Sequence, residues 1–275
     1  MTDRNIAFLG GGRMGEALVA GLLRSGGRSA EEILVTARRE ERARELGERL
    51  GVGTSLDNAD ACRFAEVLVL MAKPQDTEDL LNQIATHVTP EHLVVSFAAG
   101  IRTSFVEQHL AAEVAVVRVM SNVPVMVDEA MSVIAAGRHA EDKHLAVAEE
   151  LLASVGRVLR LDERYLDAVT ATSGSGPAYY FQLAEAMIEA CILLGLSRDV
   201  ATELIIQTML GSAKMLRDTK LHPVELREMV TSPGGTTIEA IRHLEEAGVR
   251  AAFLNAIDAA RRRSEELAKG GEDED

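Results

Sequence analysis

The feature of this 275-residue chain that most constrains its fold is an alternation of apolar runs with amphipathic stretches in its first 161 residues. Five short runs are rich in Val, Ile, Leu and Ala: residues 6–9, 33–37, 67–71, 93–97 and 114–119. Such near-continuous apolar runs are typical of strands that are buried on both faces of a sheet. Amphipathic stretches of helical spacing lie between them, at residues 15–24, 40–50 and 77–87. The alternation predicts the α/β class, with a doubly wound parallel sheet. Two more strands are predicted around a helix at residues 139–155, namely 133–136 and 158–161.

After Asp162 the apolar residues recur at helical spacing, and no further apolar run predicts a strand. Helices are predicted at residues 165–171, 177–194, 198–216, 223–230, 238–247 and 249–267. We therefore predict two domains, a sheet domain over residues 1–161 and an all-α domain over residues 162–275. The glycine-rich acidic tail at residues 270–275 is expected to fray.

The helix predicted at residues 177–194 is apolar nearly all round. Its clearly polar positions, Gln182, Glu185 and Glu189, form one narrow stripe, and much of the helix at residues 198–216 is similarly apolar. A helix of this kind must be buried nearly all round. It could be the central helix of one domain, but a domain of this size has room for about one such helix. Two of them predict a homodimer in which the helices are buried between chains.

Charge, hydropathy and cysteine usage limit the classes of partner and compartment. The formal net charge of −14 would repel a nucleic-acid backbone. No apolar run approaches the roughly 20 residues of a membrane-spanning helix. Cys62 and Cys191 share no metal or redox spacing, so we expect no metal site and two inert thiols in a reducing compartment. The N-terminal residues lack the pattern of a signal peptide, and the prediction is a cytoplasmic protein.

A glycine-rich turn directly follows the first predicted strand and opens the first predicted helix. Its pattern is G-x-G-x-x-G, and it consists of Gly10, Gly11, Gly12, Arg13, Met14 and Gly15. This context is the one that a dinucleotide-binding, Rossmann-like domain requires. The helix N-terminus would bind the pyrophosphate, because its free N–H groups and its dipole favour an anion. The alternative is a turn that binds no ligand.

The end of the second predicted strand indicates which dinucleotide would bind. An NAD-specific site needs a carboxylate there to accept a hydrogen bond from the ribose 2′-hydroxyl. This chain has Ala37, Arg38 and Arg39 instead. The two arginines could bind a 2′-phosphate, which favours NADP(H), with NAD(H) used less well. The alternative is that both are surface residues at the start of the next helix.

Two more strand ends offer residues at the same edge of the sheet. Pro74 holds the preceding Lys73 in an extended backbone, where open α/β folds bind their ligands. The alternative is a lysine that only covers apolar surface with its stem. After the next strand, Phe97 is followed by Ala98, Ala99 and Gly100, whose small size leaves room for a flat nicotinamide ring.

A second unusual loop lies in the helical half, immediately before the helix predicted at residues 238–247. It consists of Thr231, Ser232, Pro233, Gly234, Gly235, Thr236 and Thr237. Hydroxyls, flexible glycines and a helix N-terminus together predict a carboxylate-binding site. The alternative is a helix start capped by a threonine, but the loop has more glycine and hydroxyl residues than a cap requires. Residues 173–177 open the long apolar helix and allow the same two interpretations.

The chain lacks a proton-donating lysine that dehydrogenases of the same architecture carry. Hydroxyacid dehydrogenases of this architecture carry a lysine that donates a proton to a ketone oxygen, and aligning their motif on residues 174–176 puts Tyr180 at that position. Reduction of a C=O bond needs such an acid because it generates an alkoxide. Reduction of a protonated C=N bond generates a neutral amine and does not. The sequence therefore favours an imine substrate.

These residues resemble the pyrroline-5-carboxylate reductase family, and the match runs from Ile6 to about Leu267. The most specific block begins at His222-Pro223, includes the loop at residues 231–237 and continues to Leu244-Glu245. Three shorter blocks also match: Ala72-Lys73-Pro74-Gln75, Ala98-Ala99-Gly100 and Ser173-Gly174-Ser175-Gly176-Pro177-Ala178-Tyr179. One block, residues 118–124, departs from the family at two positions. Ser121 stands where a proline is usual, and Val123 stands where a threonine is usual, which removes a hydroxyl near the expected nicotinamide.

The resemblance implies an NADPH-dependent enzyme that reduces 1-pyrroline-5-carboxylate to L-proline, the final step of proline biosynthesis. It also implies a helical domain that interlocks two subunits, sometimes within a homodecamer, a ring of five dimers. The cofactor site expected from motif and resemblance together comprises Leu9, Gly10, Gly11, Gly12, Arg13, Met14, Gly15, Ala37, Arg38, Arg39, Asn58, Met71, Ala72, Lys73, Pro74, Phe97, Ala98 and Ala99. The substrate site comprises Ser232, Gly234, Gly235, Thr236 and Thr237, and the catalytic candidates are Thr237 and Lys73.

Two other functions stay open at this point. One is a reductase of a related cyclic imino acid, and the other is a non-catalytic NADP-sensing protein. The intact loop at residues 231–237 argues against the sensor, since a sensor has no need of a substrate site.

Overall fold

The computed structural model describes residues 4–110 and 113–269, which form one eight-stranded sheet and twelve α-helices. The strands are β1 Ile6–Leu9, β2 Ile33–Thr36, β3 Gly53–Ser55, β4 Val67–Leu70, β5 Leu93–Ser96, β6 Ala115–Met120, β7 Ala130–Ala136 and β8 Gly156–Arg160. Their order is β3-β2-β1-β4-β5-β6-β7-β8. All neighbours are parallel except β6 and β7, which are antiparallel. The predicted α/β class with a Rossmann-like N-terminal sheet is confirmed.

An α-helix lies between each two successive strands except β6 and β7, and the described residues after β8 form helices and their connections. They are α1 Arg13–Arg24, α2 Glu40–Leu50, α3 Asn58–Phe64, α4 Thr77–Ile84, α5 Thr103–His109, α6 Asp142–Ala153, α7 Leu166–Val169, α8 Gly176–Leu193, α9 Arg198–Thr219, α10 Pro223–Met229, α11 Thr236–Glu246 and α12 Val249–Lys269. In the described part of the chain after Asp162 no residue belongs to a strand, as predicted. The tail at residues 270–275 lies outside the described residues.

The core has two layers because successive side chains of a strand point to opposite faces of the sheet. Ile6 and Phe8 of β1 pack in one layer with residues of α1 and α6. Ala7 and Leu9 pack in the other layer with residues of α3, α4 and α5. All four β1 side chains are fully or nearly fully buried, so the turn after Leu9 is fixed firmly at one sheet edge.

Two features of the sheet differ from the predictions. β3 is a three-residue edge strand of partly exposed residues, too short and too polar to be recognised as an apolar run. β7 begins at Ala130 rather than at residue 133. Its early residues follow a tight 3₁₀ turn at Val123–Val127, which lets β7 return antiparallel to β6 without a crossover helix.

The described residues divide into two compact units. One contains the residues up to Ser175 together with those from Ala260 onward, and the other is Gly176–Ala259. The division falls after Ser175 rather than after Leu161 because Leu166 and Val169 of α7 pack against Val133 and Ala135 of β7. The assignment of separate roles to residues 1–161 and 162–275 remains a prediction.

The helical unit has almost no core of its own. Among the residues of Gly176–Ala259, all of which the structure describes, only Gly176, Ala201 and Ile205 are buried. Phe181 is 64% exposed and Leu194 is 84% exposed. No described helix is both long enough and apolar enough to cross a membrane.

Candidate active site

A cleft of about 560 Å³ opens where β1, β2 and β4 end. β1 lies between β2 and β4, so the chain reverses its direction of winding here, and open α/β sheets bind ligands at this point. The predicted cofactor residues that line the cleft are Leu9, Gly10, Gly11, Gly12, Ala37, Arg38, Arg39, Asn58, Met71, Ala72 and Lys73. The structure thus brings together residues from four separate segments of the sequence.

The glycine-rich turn has the geometry that a pyrophosphate requires. Gly10 has a φ of 118°, which favours glycine, and a Cβ on Gly15 would lie 2.9 Å from the Gly10 carbonyl oxygen. A Cβ on Gly12 would meet nothing within 4 Å, so backbone there faces open space. Gly12 is also the N-cap of α1, and no side chain caps the helix. The first N–H groups of α1 can therefore bind an anion.

The basic side of the cleft follows β2. The N–H of Ala37 donates to the Ser55 carbonyl oxygen at 3.0 Å, which extends the sheet pairing by one residue. Arg38 and Arg39 are then the first side chains beyond the sheet edge, and both are exposed. Both arginines therefore line the cleft at the end of β2.

Two polar residues that the sequence did not single out, Thr36 and Gln83, hold the predicted residue Asn58 in this wall of the cleft. The buried Thr36 hydroxyl donates to Asn58 Oδ1 at 2.6 Å, and Asn58 Nδ2 donates to Gln83 Oε1 at 2.7 Å. The remaining unpredicted lining residues are Arg42, Leu56, Asp76, Asp79 and Leu80. The one signal that could have revealed Thr36 is a hydroxyl at the end of an apolar strand.

Arg42 holds the glycine-rich turn from the side of α2. Its Nε donates to the Gly11 carbonyl oxygen at 2.9 Å, and its side chain is only 18% exposed. Glu16 and Glu45 pair with the same guanidinium at 2.5 and 2.8 Å. This arginine therefore connects α1, α2 and the turn, and its charge is largely neutralised.

The other seven predicted cofactor residues lie around the cleft rather than in its wall. They are Arg13, Met14 and Gly15 in the first turn of α1, Pro74 at the start of a 3₁₀ turn, and Phe97, Ala98 and Ala99 after β5. Ala98 is 1% exposed, so neither its side chain nor its backbone is open to solvent. Lys73 has extended backbone and an exposed side chain, and its carbonyl oxygen accepts from the Thr77 hydroxyl at 2.9 Å.

The predicted substrate loop lies in the helical unit, at the N-terminus of α11. Gly235 is the N-cap, and no side chain caps the helix, so the expected alternative of a threonine cap is not observed. Gly234 has a φ of 67°, and the N–H of Gly235 donates to the Ser232 carbonyl oxygen at 3.1 Å. Ser232 and Thr236 are exposed and Thr237 is half-buried. The first N–H groups of α11 remain available for an anion.

The first residues of the block 173–177 have a packing role in the sheet unit. Asn122 Nδ2 donates to the Ser173 carbonyl oxygen at 3.0 Å. A Cβ on Gly174 would lie 2.3 Å from Cε at the end of the flexible Met120 side chain, so this glycine packs closely against Met120. Val123, one of the two departures from the family pattern, is 51% exposed. In the described part of the chain, no three His, Cys, Asp or Glu side chains are grouped as a metal site would require.

Comparisons with known proteins cover the whole chain. The family model of pyrroline-5-carboxylate reductase dimerisation matches residues 163–267. A second model, NADP oxidoreductase coenzyme F420-dependent, matches residues 5–100. The pyrroline-5-carboxylate reductase of Methanosarcina acetivorans is 44% identical over 98% of this chain and all of its own length.

Solved structures agree with the sequence comparisons. A pyrroline-5-carboxylate reductase from Coxiella burnetii has a TM-score of 0.91 and 36% identity, over 97% of this chain and 99% of its own. The Plasmodium falciparum pyrroline carboxylate reductase, solved with NADP bound, has a TM-score of 0.88 and 25% identity, over 98% and 99% of the two chains. On the strength of full-length identity, the chain belongs to the pyrroline-5-carboxylate reductase family.

Proposed function

We propose that this chain is an NAD(P)H-dependent reductase that converts 1-pyrroline-5-carboxylate to L-proline, the final step of proline biosynthesis. The observation that carries the proposal is 44% identity to a reductase of this name over 98% of the chain. The two candidate sites add physical support, because one is built for a dinucleotide and the other for a small carboxylate.

The proposed cofactor is NADP(H), with NAD(H) used less well. The cleft fits this group: open space at Gly12 admits the pyrophosphate, and Arg38 and Arg39 stand where an NAD site has a carboxylate. When bound, the nicotinamide would supply a hydride. Residues 97–99 would leave room for its ring, and Lys73 would stay close to the cofactor at the edge of the sheet.

The proposed substrate site is the loop at residues 231–237. The N–H groups of Gly234 and Thr236 and the Ser232 hydroxyl would bind the carboxylate, which stays anionic throughout. Gly235 would shape the loop, because its own N–H donates to the Ser232 carbonyl oxygen. The Thr237 hydroxyl would hydrogen-bond the ring nitrogen. Hydride addition at C5 of the protonated imine moves the C=N π electrons to nitrogen and leaves a neutral amine. No acid is needed at that step, which agrees with Tyr180 in place of a lysine.

The chain carries the family's dimerisation region and acts as a homo-oligomer. We propose a homodimer as its basic unit, with a ring of five dimers as a larger assembly, and a reducing cytoplasmic location without nucleic-acid or membrane partners. The free, buried thiol of Cys62 is compatible with that location. Sedimentation separates the two assemblies by mass.

A direct assay tests the reaction and its competitors. NADPH oxidation is followed spectrophotometrically with 1-pyrroline-5-carboxylate and, in parallel, with its six-membered homologue. A higher kcat/KM for the five-membered ring supports the proposal, and the reverse order makes the chain a reductase of another cyclic imino acid. NADPH binding without turnover on either substrate would instead indicate a non-catalytic sensor.

A further inference from the structure

A carboxylate stands in the cleft beside the arginines proposed for the 2′-phosphate. Asp76 ends the 3₁₀ turn Pro74–Asp76 and lines the same cleft as Arg38 and Arg39. Its Oδ1 lies 3.0 Å from a terminal nitrogen of Arg38. This ion pair joins the segment after β2 to the segment after β4 and so spans the cleft. The Asp76 side chain is 28% exposed, which makes it the better shielded partner, because Arg38 is 74% exposed.

The pair has an electrostatic consequence for a phosphorylated ribose. A phosphate monoester carries about −1.5 to −2 charges near neutral pH. If it binds Arg38, it comes close to the Asp76 carboxylate, and the two anions repel while they share one guanidinium. Asp79 adds a second carboxylate to the same wall. A dinucleotide with a free 2′-hydroxyl escapes this repulsion.

We infer that Asp76 is a specificity-determining residue that weakens binding of the 2′-phosphate and thereby narrows the preference for NADPH over NADH. The inference rests on the proposed use of NADP(H). It deepens that proposal, since it names the residue that limits the ratio of NADPH affinity to NADH affinity. Arg38 and Arg39 attract the 2′-phosphate, and Asp76 opposes them from across the cleft.

The test uses the full-length protein and Asp76→Asn. Asparagine keeps the size of the side chain, and Asp76, the N-cap of α4, makes no side-chain cap hydrogen bond that the substitution could remove. Binding is measured by calorimetry with adenosine 2′,5′-bisphosphate and with adenosine 5′-monophosphate, which lacks the 2′-phosphate. The substitution should tighten the bisphosphate about three- to tenfold and leave the monophosphate unchanged. The gain should shrink at high salt, since salt screens exposed charges.

The matched control is Glu78→Gln. Glu78 is exposed on α4 and lies near His109, at 3.7 Å, outside the cleft wall. Glu78→Gln removes one negative charge, as Asp76→Asn does, but it should change the affinity for neither the bisphosphate nor the monophosphate. A double-mutant cycle with Arg38→Ala gives a further check. The gain in bisphosphate affinity from Asp76→Asn should be smaller when Arg38 no longer binds the 2′-phosphate.

Any other result overturns either the inference alone or the proposed cofactor as well. Unchanged or weaker bisphosphate binding in Asp76→Asn overturns the inference, as does equal tightening of both ligands or an equal effect of Glu78→Gln. If the wild-type chain reduces 1-pyrroline-5-carboxylate with NADPH and Asp76→Asn changes nothing, the inference alone fails. If the wild-type chain binds no bisphosphate, the proposed cofactor fails and this inference fails with it.

Discussion

Thr237 is the residue whose proposed role changes along the reaction. The substrate carboxylate keeps its charge, so the backbone N–H groups of Gly234 and Thr236 would bind substrate and product alike and affect mainly KM. The ring nitrogen passes from charged imine to neutral amine, and a hydrogen bond from Thr237 can strengthen as it does. Thr237→Ala should therefore lower kcat about tenfold, if one hydrogen bond of ~1–1.5 kcal/mol is lost. Steady-state kinetics with saturating NADPH measures this change.

The conservative variant separates this role from a structural one. Thr237→Ser keeps the hydroxyl and should restore most of kcat, while NADPH affinity should be the same in all three proteins. A Thr237→Ala protein with wild-type kcat and weakened NADPH binding would assign the loop to the cofactor, and the proposed substrate site would be misplaced.

Cys62 is a residue whose surroundings suppress its chemistry. It is 7% exposed, and burial raises the pKa of its thiol to about 11. At pH 8 the thiolate fraction is then about a hundredfold below that of an ordinary cysteine. In a Cys191→Ser background, Cys62 should react slowly with a thiol reagent in the native protein and rapidly in denaturant. Native labelling at the rate of a free cysteine would contradict this expectation.

At the scale of elements, Glu163 connects three segments of the sheet unit. Its carboxylate accepts from the Thr103 N–H at 2.8 Å and from the Thr103 hydroxyl at 2.7 Å, at the start of α5. It also pairs at 3.2 Å with Arg118 of β6, whose side chain is 6% exposed. Glu163→Gln leaves that buried guanidinium without a counter-charge and should lower the free energy of unfolding by roughly 2–3 kcal/mol. Denaturant unfolding monitored by circular dichroism measures it.

An exposed pair supplies the matched control for Glu163. Glu149 and Arg160 pair at 2.5 Å, but both side chains are 40% exposed. Glu149→Gln should therefore cost less than about 1 kcal/mol. If both glutamine variants lose the same stability, the network around Glu163 contributes no more than a surface pair.

The elements that could be predicted from sequence are those whose pattern is local. The β1–turn–α1 unit is one, because the apolar run, the glycine spacing and the helical stripe are all contiguous. The docking of α12 is not local: its Ser264 hydroxyl donates at 2.7 Å to Oδ1 of Asp167, which lies 97 residues earlier in the sequence. The ion pair of Arg38 with Asp76 is equally unpredictable, since it depends on where two loops meet. Residues in contact only through the fold carry no periodic signal.

At the scale of the whole molecule, we expect the helical unit to be unstable as a lone chain. A compact domain buries its large apolar side chains, but α8 and α9 leave theirs largely in solvent. Ile205 is an exception at 8% exposed, so a charge there would disrupt the unit itself and would not test association. The faces that bear on association are those with exposed apolar residues, such as Phe181 on α8 and Leu210 on α9.

Phe181→Glu is therefore the substitution that tests assembly. Phe181 is 64% exposed in the single chain, and its burial against a second chain is worth about 1.5–3 kcal/mol per side chain. A glutamate there adds the cost of a buried charge, once in each subunit of a symmetric pair. The variant should sediment as monomers or lose its thermal transition, and its activity should fall with the dimer. Met126→Glu is the control, because Met126 is equally apolar and 61% exposed but lies in the sheet unit. A wild-type chain that remains a compact, fully active monomer at low concentration would contradict the proposed homodimer, as would a Phe181→Glu protein that sediments and unfolds like the wild type.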